Sequence, residues 1–240
     1  MARALSSQKV FHQMTGIFRL DDHADTSLLT DAPAKGTKVL NVTATEGTKF
    51  TAGDPIRVGV NGSLAEVNQV ASVATDAVTM QLPFHRALAI GEAITQLTPL
   101  DLGATDENGV NLETTQAENA IIAGTQRATY LFIPQNVEEA LNFALRDFEK
   151  ENLLTSLGLD ETDTSIFDAN GAVIIPNDFA GLTHKPWKFE GLLEDATAIT
   201  AYIYAAKVGS ANQTLQFVHG QAAIIPFSLR SIGARSFLFI

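Results

Sequence analysis

The stretch from Glu139 to Gly158 changes its period in the middle. From Glu139 to Arg146, Leu141, Phe143 and Leu145 alternate with Asn142, Ala144 and Arg146. A period of two is the mark of a strand with one buried face. Asp147 then stands where an N-cap would, and Glu149 and Glu151 fall in the first turns, where carboxylates favour the positive helix end. Leu153, Leu154 and Leu157 form a short apolar stripe, and Gly158 follows where a left-handed residue ends a helix. The spacing predicts a strand, a tight corner, a short helix and a glycine stop. The competing reading is one helix over 137–157 with Leu141, Leu145 and Phe148 on one face, a stripe that Asn152 breaks.

The rest of the chain is written mostly in short strands. Val10, Phe11, Ile17, Phe18 and Leu20 place a first strand near 10–20, and Asp21, Asp22, His23, Ala24 and Asp25 open a loop that runs to Pro33. Residues 35–97 alternate short β-rich runs with Gly, Asn, Asp and Pro; Asn61-Gly62 is a hairpin signal and Gly53-Asp54-Pro55 a turn. This segment reads as a small all-β module of roughly four to six strands, large enough to fold as a unit. Thr98-Pro99 marks its far boundary, and a turn-rich acidic segment over 101–109 follows. Strands are expected at 110–114, 199–208 and 215–218. The clearest partner for the central strand is 222–232, where Ile225, Phe227 and Leu229 alternate with Pro226, Ser228 and Arg230. Leu141, Phe143, Leu145, Ile225, Phe227 and Leu229 are the expected core. The fold class is therefore mainly β, a β-sandwich with one flanking short α-helix plus the small all-β module. Residues 1–34 and 98–240 form the sandwich domain, with 35–97 inserted.

Composition narrows the chemistry. The chain has 240 residues, a hydrophobic fraction of 45% that suffices for a core, and no Cys. Disulfides, thiolate metal sites and cysteine nucleophiles are excluded. No apolar run reaches the length of a membrane span and no signal-peptide pattern opens the sequence, so a soluble, unsecreted protein is expected. A net charge of −11 argues against tight binding to a phosphate backbone, which needs clustered Lys and Arg.

Catalytic signatures are missing from the sequence: no nucleophile elbow, zinc-protease helix, phosphate loop or dinucleotide fingerprint occurs. The histidines, His12, His23, His85, His184 and His219, lie far apart. Asp21, Asp22, His23 and Asp25 read as a solvated acidic loop rather than a metal cluster, since no second ligand group has recognisable spacing. Asp168-Ala169-Asn170-Gly171 starts like a calcium loop, but Ala172, Val173, Ile174, Ile175 and Pro176 stand where ligands should continue. Asp160, Glu161 and Asp163 read as solvated. Trp187, flanked by Lys185 and Lys188, is either a core tryptophan or a stacking platform, and the core is favoured. The expectation is no catalytic, cofactor-binding or metal site, no cofactor, and no enzyme.

Gly103–Val110, the run from Leu141 to Phe148 leading to Glu151–Leu154 and Leu157-Gly158, Lys185–Gly191 and 222–232 together resemble the major tail tube proteins of long-tailed, siphovirus-like bacteriophages. The resemblance covers roughly 101–232 and is spread rather than concentrated in one motif. Residues 35–97 stand outside the family pattern. The resemblance implies a structural virion protein, a viral tail subunit assembled in the host cytoplasm. Its homo-oligomeric hexamer rings would stack into a tube, contact other phage tail proteins, and give DNA a transient, non-specific passage during ejection. It implies no catalytic residues. In such a ring Asn142, Arg146, Ser228 and Arg230 are the candidates for the lumen face. The apolar tail Phe237, Leu238, Phe239 and Ile240 is the candidate for self-assembly, because four apolar residues at a chain end are a sticky patch on a monomer. Residues 1–13 and 236–240 are accordingly expected to order only between subunits, the alternative being that the C-terminus completes the chain's own sheet. Other tail parts (terminator, connector or decoration protein) and a surface-binding β module or adhesin are the remaining alternatives.

Overall fold

Alternating apolar residues and frequent Gly, Asn and Pro leave this chain little opportunity for helix, and strands dominate what forms. The computed structural model describes residues 11–59, 65–123, 128–147, 149–157, 159, 185–193, 196–208, 224–230 and 235–239. The strands are β1 (Phe11–Leu28), β2 (Val39–Asn41), β3 (Pro55–Val58), β4 (Glu66–Ala74), β5 (Ala77–Met80), β6 (Ala93–Asp101), β7 (Thr105–Ala123), β8 (Ala128–Leu145), β9 (Lys185–Leu193), β10 (Ala198–Val208), β11 (Ile225–Arg230) and β12 (Arg235–Phe239). One α-helix, α1 (Lys150–Ser156), occurs among the described residues. The protein is mainly β and antiparallel. Its strands follow the order β2-β5-β4-β3-β6-β1-β9-β10-β11-β8-β7, with β12 beside β10.

The sheet bends around two main cores. In the first, β1, β9 and β10 face β8 and β11 in a sandwich-like arrangement. Its cluster holds Ile17, Leu102, Leu141, Phe143, Leu145, Trp187, Phe189, Ile203, Ile225, Phe227 and Leu229. All six residues expected from alternation are in it. The reason is register: Leu141 pairs with Leu229, Phe143 with Phe227 and Leu145 with Ile225, so both strands turn the same set inward. The paired rings of Phe143 and Phe227 stack at 4.9 Å, and Trp187 meets Phe143 edge-on at 6.2 Å.

The second core fills a small barrel. β1, β6, β3, β4, β5 and β2 follow one another by pairing. The bridge Leu29–Val42 and the Thr30 N–H to Asn41 carbonyl bond at 3.0 Å return β2 to the end of β1. Leu29, Leu40, Val42, Phe50, Ile56, Val58, Val70, Val78, Met80, Phe84, Leu88 and Ile94 fill the interior. A third cluster of Leu20, Ala65, Val67, Leu97 and Tyr202 joins the barrel to the main sheet.

Several local expectations give way to tertiary pairing. The expected loop after Leu20 is strand: β1 runs to Leu28 because β6 supplies Asp21↔Thr98, Asp22↔Leu97 and Thr26↔Thr95, with a bulge between Asp22 and Thr26. Its acids are held by cations. Asp21 accepts from Arg19 at 2.8 Å and from Lys185 at 2.6 Å, and Asp22 pairs with Arg57. Thr98-Pro99 does not interrupt the chain either. β6 continues through it, and Pro99 is tolerated because β3 pairs only with 94–96, leaving its missing N–H facing no partner on that side.

The strand–helix reading of the central stretch holds, with two shifts. β8 begins at Ala128, well before Glu139, and the N-cap is Glu149, not Asp147. The Asp147 carboxylate instead accepts the Ala104 N–H at 3.1 Å. Asn152, which broke the apolar stripe, is buried and donates to the Leu102 and Asp147 carbonyls, both at 2.9 Å. This polar pin fixes α1 to the turn before β7. Arg19, also buried, donates to Thr155 Oγ1 at 2.5 Å and ties α1 to β1. Gly158, Asn61-Gly62, 160–184 and the strand expected at 215–218 lie outside the described residues.

Gly103 makes the same corner testable. Its φ is +86°, and a Cβ there would lie 1.9 Å from Asp147 Oδ2. Gly103→Ala is expected to cost about 1–3 kcal/mol from backbone strain and displacement of the carboxylate. A denaturant midpoint unchanged from the parent protein would contradict this packing.

Candidate assembly surface

Register sets what the β8–β11 pair presents away from the core. Asn142 pairs with Ser228, Ala144 with Pro226 and Ala140 with Arg230. On β7, Asn111 aligns with Asn142 and Glu113 with Ala140. Asn142 and Ser228 are half-buried and Arg230 is exposed, so three of the four lumen candidates occupy one face. Arg146 is exposed but lies one residue past β8, its N–H donating to the Ala104 carbonyl at 3.1 Å. It marks the end of the face rather than a row within it.

The chain end is ordered in its own sheet. β12 pairs with β10 from Ile199↔Phe239 to Ile203↔Arg235. The expectation that 236–240 orders only between subunits is corrected for 236–239: β10 offers its second edge there, and pairing satisfies five residues of backbone that would otherwise be open. Residues 1–10 and Ile240 lie outside the described residues.

The feature that sequence reading missed is the length of β7 and β8. β11 covers β8 only at 140–145, yet β7 and β8 stay paired from Thr114↔Glu139 to Ala123↔Ala128. Among the described residues no third strand flanks this part. It is a two-stranded arm of about 35 Å at 3.3 Å per residue. The signal was present as β-rich sequence on both sides of Gly124, but Asn119, Pro134 and Asn136 mask its alternation. Register shifts beside Ala117 and Ile121 absorb those breaks.

Residues that suggested chemistry are structural. Trp187 is 1% exposed in the first core, which favours the core reading over a stacking platform. Phe50 and Phe84, the aromatics of 35–97, are both buried in the barrel. Among the described residues no group of three or more His, Asp or Glu could hold a metal, and no helix is long and apolar enough to cross a membrane. Glu66 is buried and accepts the backbone N–H groups of His85 and Arg86 at 2.9 and 3.1 Å, clamping the segment that carries Phe84 and Leu88 into the barrel. Arg86 donates to Glu92 Oε2 at 2.5 Å, and this hydrogen bond holds the Glu92 carboxyl below its ordinary range. A depressed folded-state value means that the pair stabilises at neutral pH and that its contribution disappears as acid protonates Glu92.

Tyr202 sits at the junction of barrel and sheet, 1% exposed, with no hydrogen-bond partner for its hydroxyl among the described residues. Burial, with the Glu190 charge second, pushes its ionisation well above the ordinary tyrosine range. The folded state resists ionisation that the unfolded state undergoes near pH ~10, so stability falls as pH rises beyond that point. Tyr202→Phe is expected to lessen this alkaline loss and to be neutral or stabilising at pH 7, since it deletes a buried unpaired hydroxyl. Urea unfolding at pH 7 and pH 10.5 checks both; a variant destabilised by more than about 1 kcal/mol at pH 7 would show that the hydroxyl has a partner.

No family model and no curated protein matches this sequence.

Proposed function

We propose that the chain is a structural subunit that polymerises, most specifically a tail-tube-like protein whose copies form hexameric rings stacked around a DNA-conducting lumen in a phage virion. The observation that carries the reading is the β7–β8 arm. An isolated two-stranded hairpin is marginal in water, so an arm of this length calls for a covering partner. Its outer part carries Ile121, Ile122, Leu131, Phe132 and Ile133. Burying five such side chains is worth on the order of 10 kcal/mol before ordering costs. The apolar rows span roughly 17 Å, well short of the ~30 Å of a bilayer core, so protein rather than lipid is the fitting cover.

The β8–β11 face suits a conduit. Between Ala140–Arg230 at one end and Arg146 at the other, its described residues are Asn142, Ser228, Ala144 and Pro226, small and uncharged. A neutral lining lets a polyanion slide, whereas a basic one would hold it by counterion release. β7 and β12 end the paired layers with free edges among the described residues, and ring closure removes such edges.

Shortening the arm tests the reading. A variant with 117–136 replaced by a two-residue turn keeps every row that β11 supports. Sedimentation should find the parent chain polymeric and the variant a folded monomer. A shortened chain that polymerises like the parent would remove the arm's role.

A further inference from the structure

We infer that the arm of one copy docks on the barrel of another, its apolar end over the surface around Leu28 and Ile90 and its acidic stem beside Lys35 and Lys38. The inference rests on the assembly reading above and names the acceptor. Large apolar residues exposed among the described part of the chain are Leu28 at 51%, Val39 at 44%, Ile90 at 68% and Ile224 at 40%, and the first three are on the barrel. They surround one strand end. Leu29 donates its N–H to the Glu92 carbonyl at 3.0 Å and accepts from Gly91 N–H at 2.9 Å, which brings Ile90 alongside Leu28. Thr30 donates to Asn41 on β2, two residues from Val39. The bonds that close the barrel are thus also what gather these side chains.

Charge favours the same pairing. Between 113 and 139 the arm carries Glu113, Glu118, Glu138 and Glu139 against Arg127 alone. On the barrel Lys35 and Lys38 precede Val39, both exposed and neither with a carboxylate partner among the described residues. An acidic stem with an apolar end matches a lysine pair next to an apolar patch. An arm from one patch reaching a different patch on the next copy is a heterologous contact, which propagates into rings or filaments instead of stopping at a dimer.

The absence of cysteine makes the test clean. Ile90→Cys chains mixed with Ile121→Cys or Ile122→Cys chains should give a disulfide-linked heterodimer under mild oxidation, and Lys150→Cys on α1 in place of Ile90→Cys should not. Ile90→Asp, at an exposed position that leaves folding intact, should raise the concentration needed for assembly about tenfold to a hundredfold. Lys35→Glu with Lys38→Glu should weaken assembly at low salt more than at high salt. If Ile90→Asp polymerises as the parent does and no cross-link forms, the docking site is wrong while the polymer reading stands. A parent chain that stays monomeric overturns both.

Discussion

Phe143→Ala should lower the stability of the monomer by about 3–5 kcal/mol, a large part of what a domain of this size commands. Phe143 is in the middle of the first core: it stacks on Phe227 at 4.9 Å and meets Trp187 and Phe189 edge-on at 6.2 and 5.9 Å. Truncation removes three aromatic contacts at once and leaves a cavity walled by two paired strands and by β9. Ladders on both sides hold β8, so the walls cannot collapse far. Phe143→Leu, which retains most of the volume, should recover more than half of the loss. Urea unfolding of the two variants decides the matter. Equal, small losses below about 1 kcal/mol would mean that this cluster is not the core that holds the sandwich together.

Excision of the barrel is the second large effect, and its outcome depends on where the cut is made. A chain that joins Ala32 to Pro99 matches the boundary suggested by the sequence. It is expected not to fold. The cut removes Ala93–Thr98, the partners of β1 from Asp21 to Leu28, and strips nine-tenths-buried Ala65, Val67 and Leu97 from Leu20 and Tyr202. Tyr202 and Leu20 would then be exposed on the main sheet, and the second half of β1 would be an open edge. A cut that keeps β1 to Leu28 and β6 from Ala93 preserves that pairing and should retain a cooperative transition, although Leu20 and Tyr202 still lose Ala65 and Val67. Circular dichroism and thermal melting of the two chains separate these outcomes. A folded, cooperative Ala32–Pro99 chain would show that the main sheet does not need the barrel.

What could be read in the sequence followed from how local each signal is. Leu141, Phe143, Leu145 and their partners Ile225, Phe227 and Leu229 were legible because each strand alternates cleanly over six residues, and pairing only had to preserve the alternation. Helix α1 was legible from its glutamates and leucines, while its cap was misplaced because the Asp147 carboxylate is drawn to Ala104 N–H, a partner 43 residues away. Asp21, Asp22, His23 and Asp25 look like a loop by every local rule. Only Arg57, Lys185 and β6, all distant in sequence, make them strand. The arm was hidden for a related reason: bulges allow a long hairpin to carry irregular sequence, and no local pattern records them. For the candidate assembly surface, alternation placed Asn142, Ser228 and Arg230 on a common face, but nothing local showed that the 236–239 tail pairs with β10.

The account's central claim is that this chain makes a hollow polymer. Electron microscopy of the purified full-length protein at rising concentration tests it most directly. Hollow tubes of stacked six-subunit rings, absent when the arm is shortened, are the expected result. A parent protein that remains monomeric, or that closes into small compact oligomers without a lumen, would contradict it.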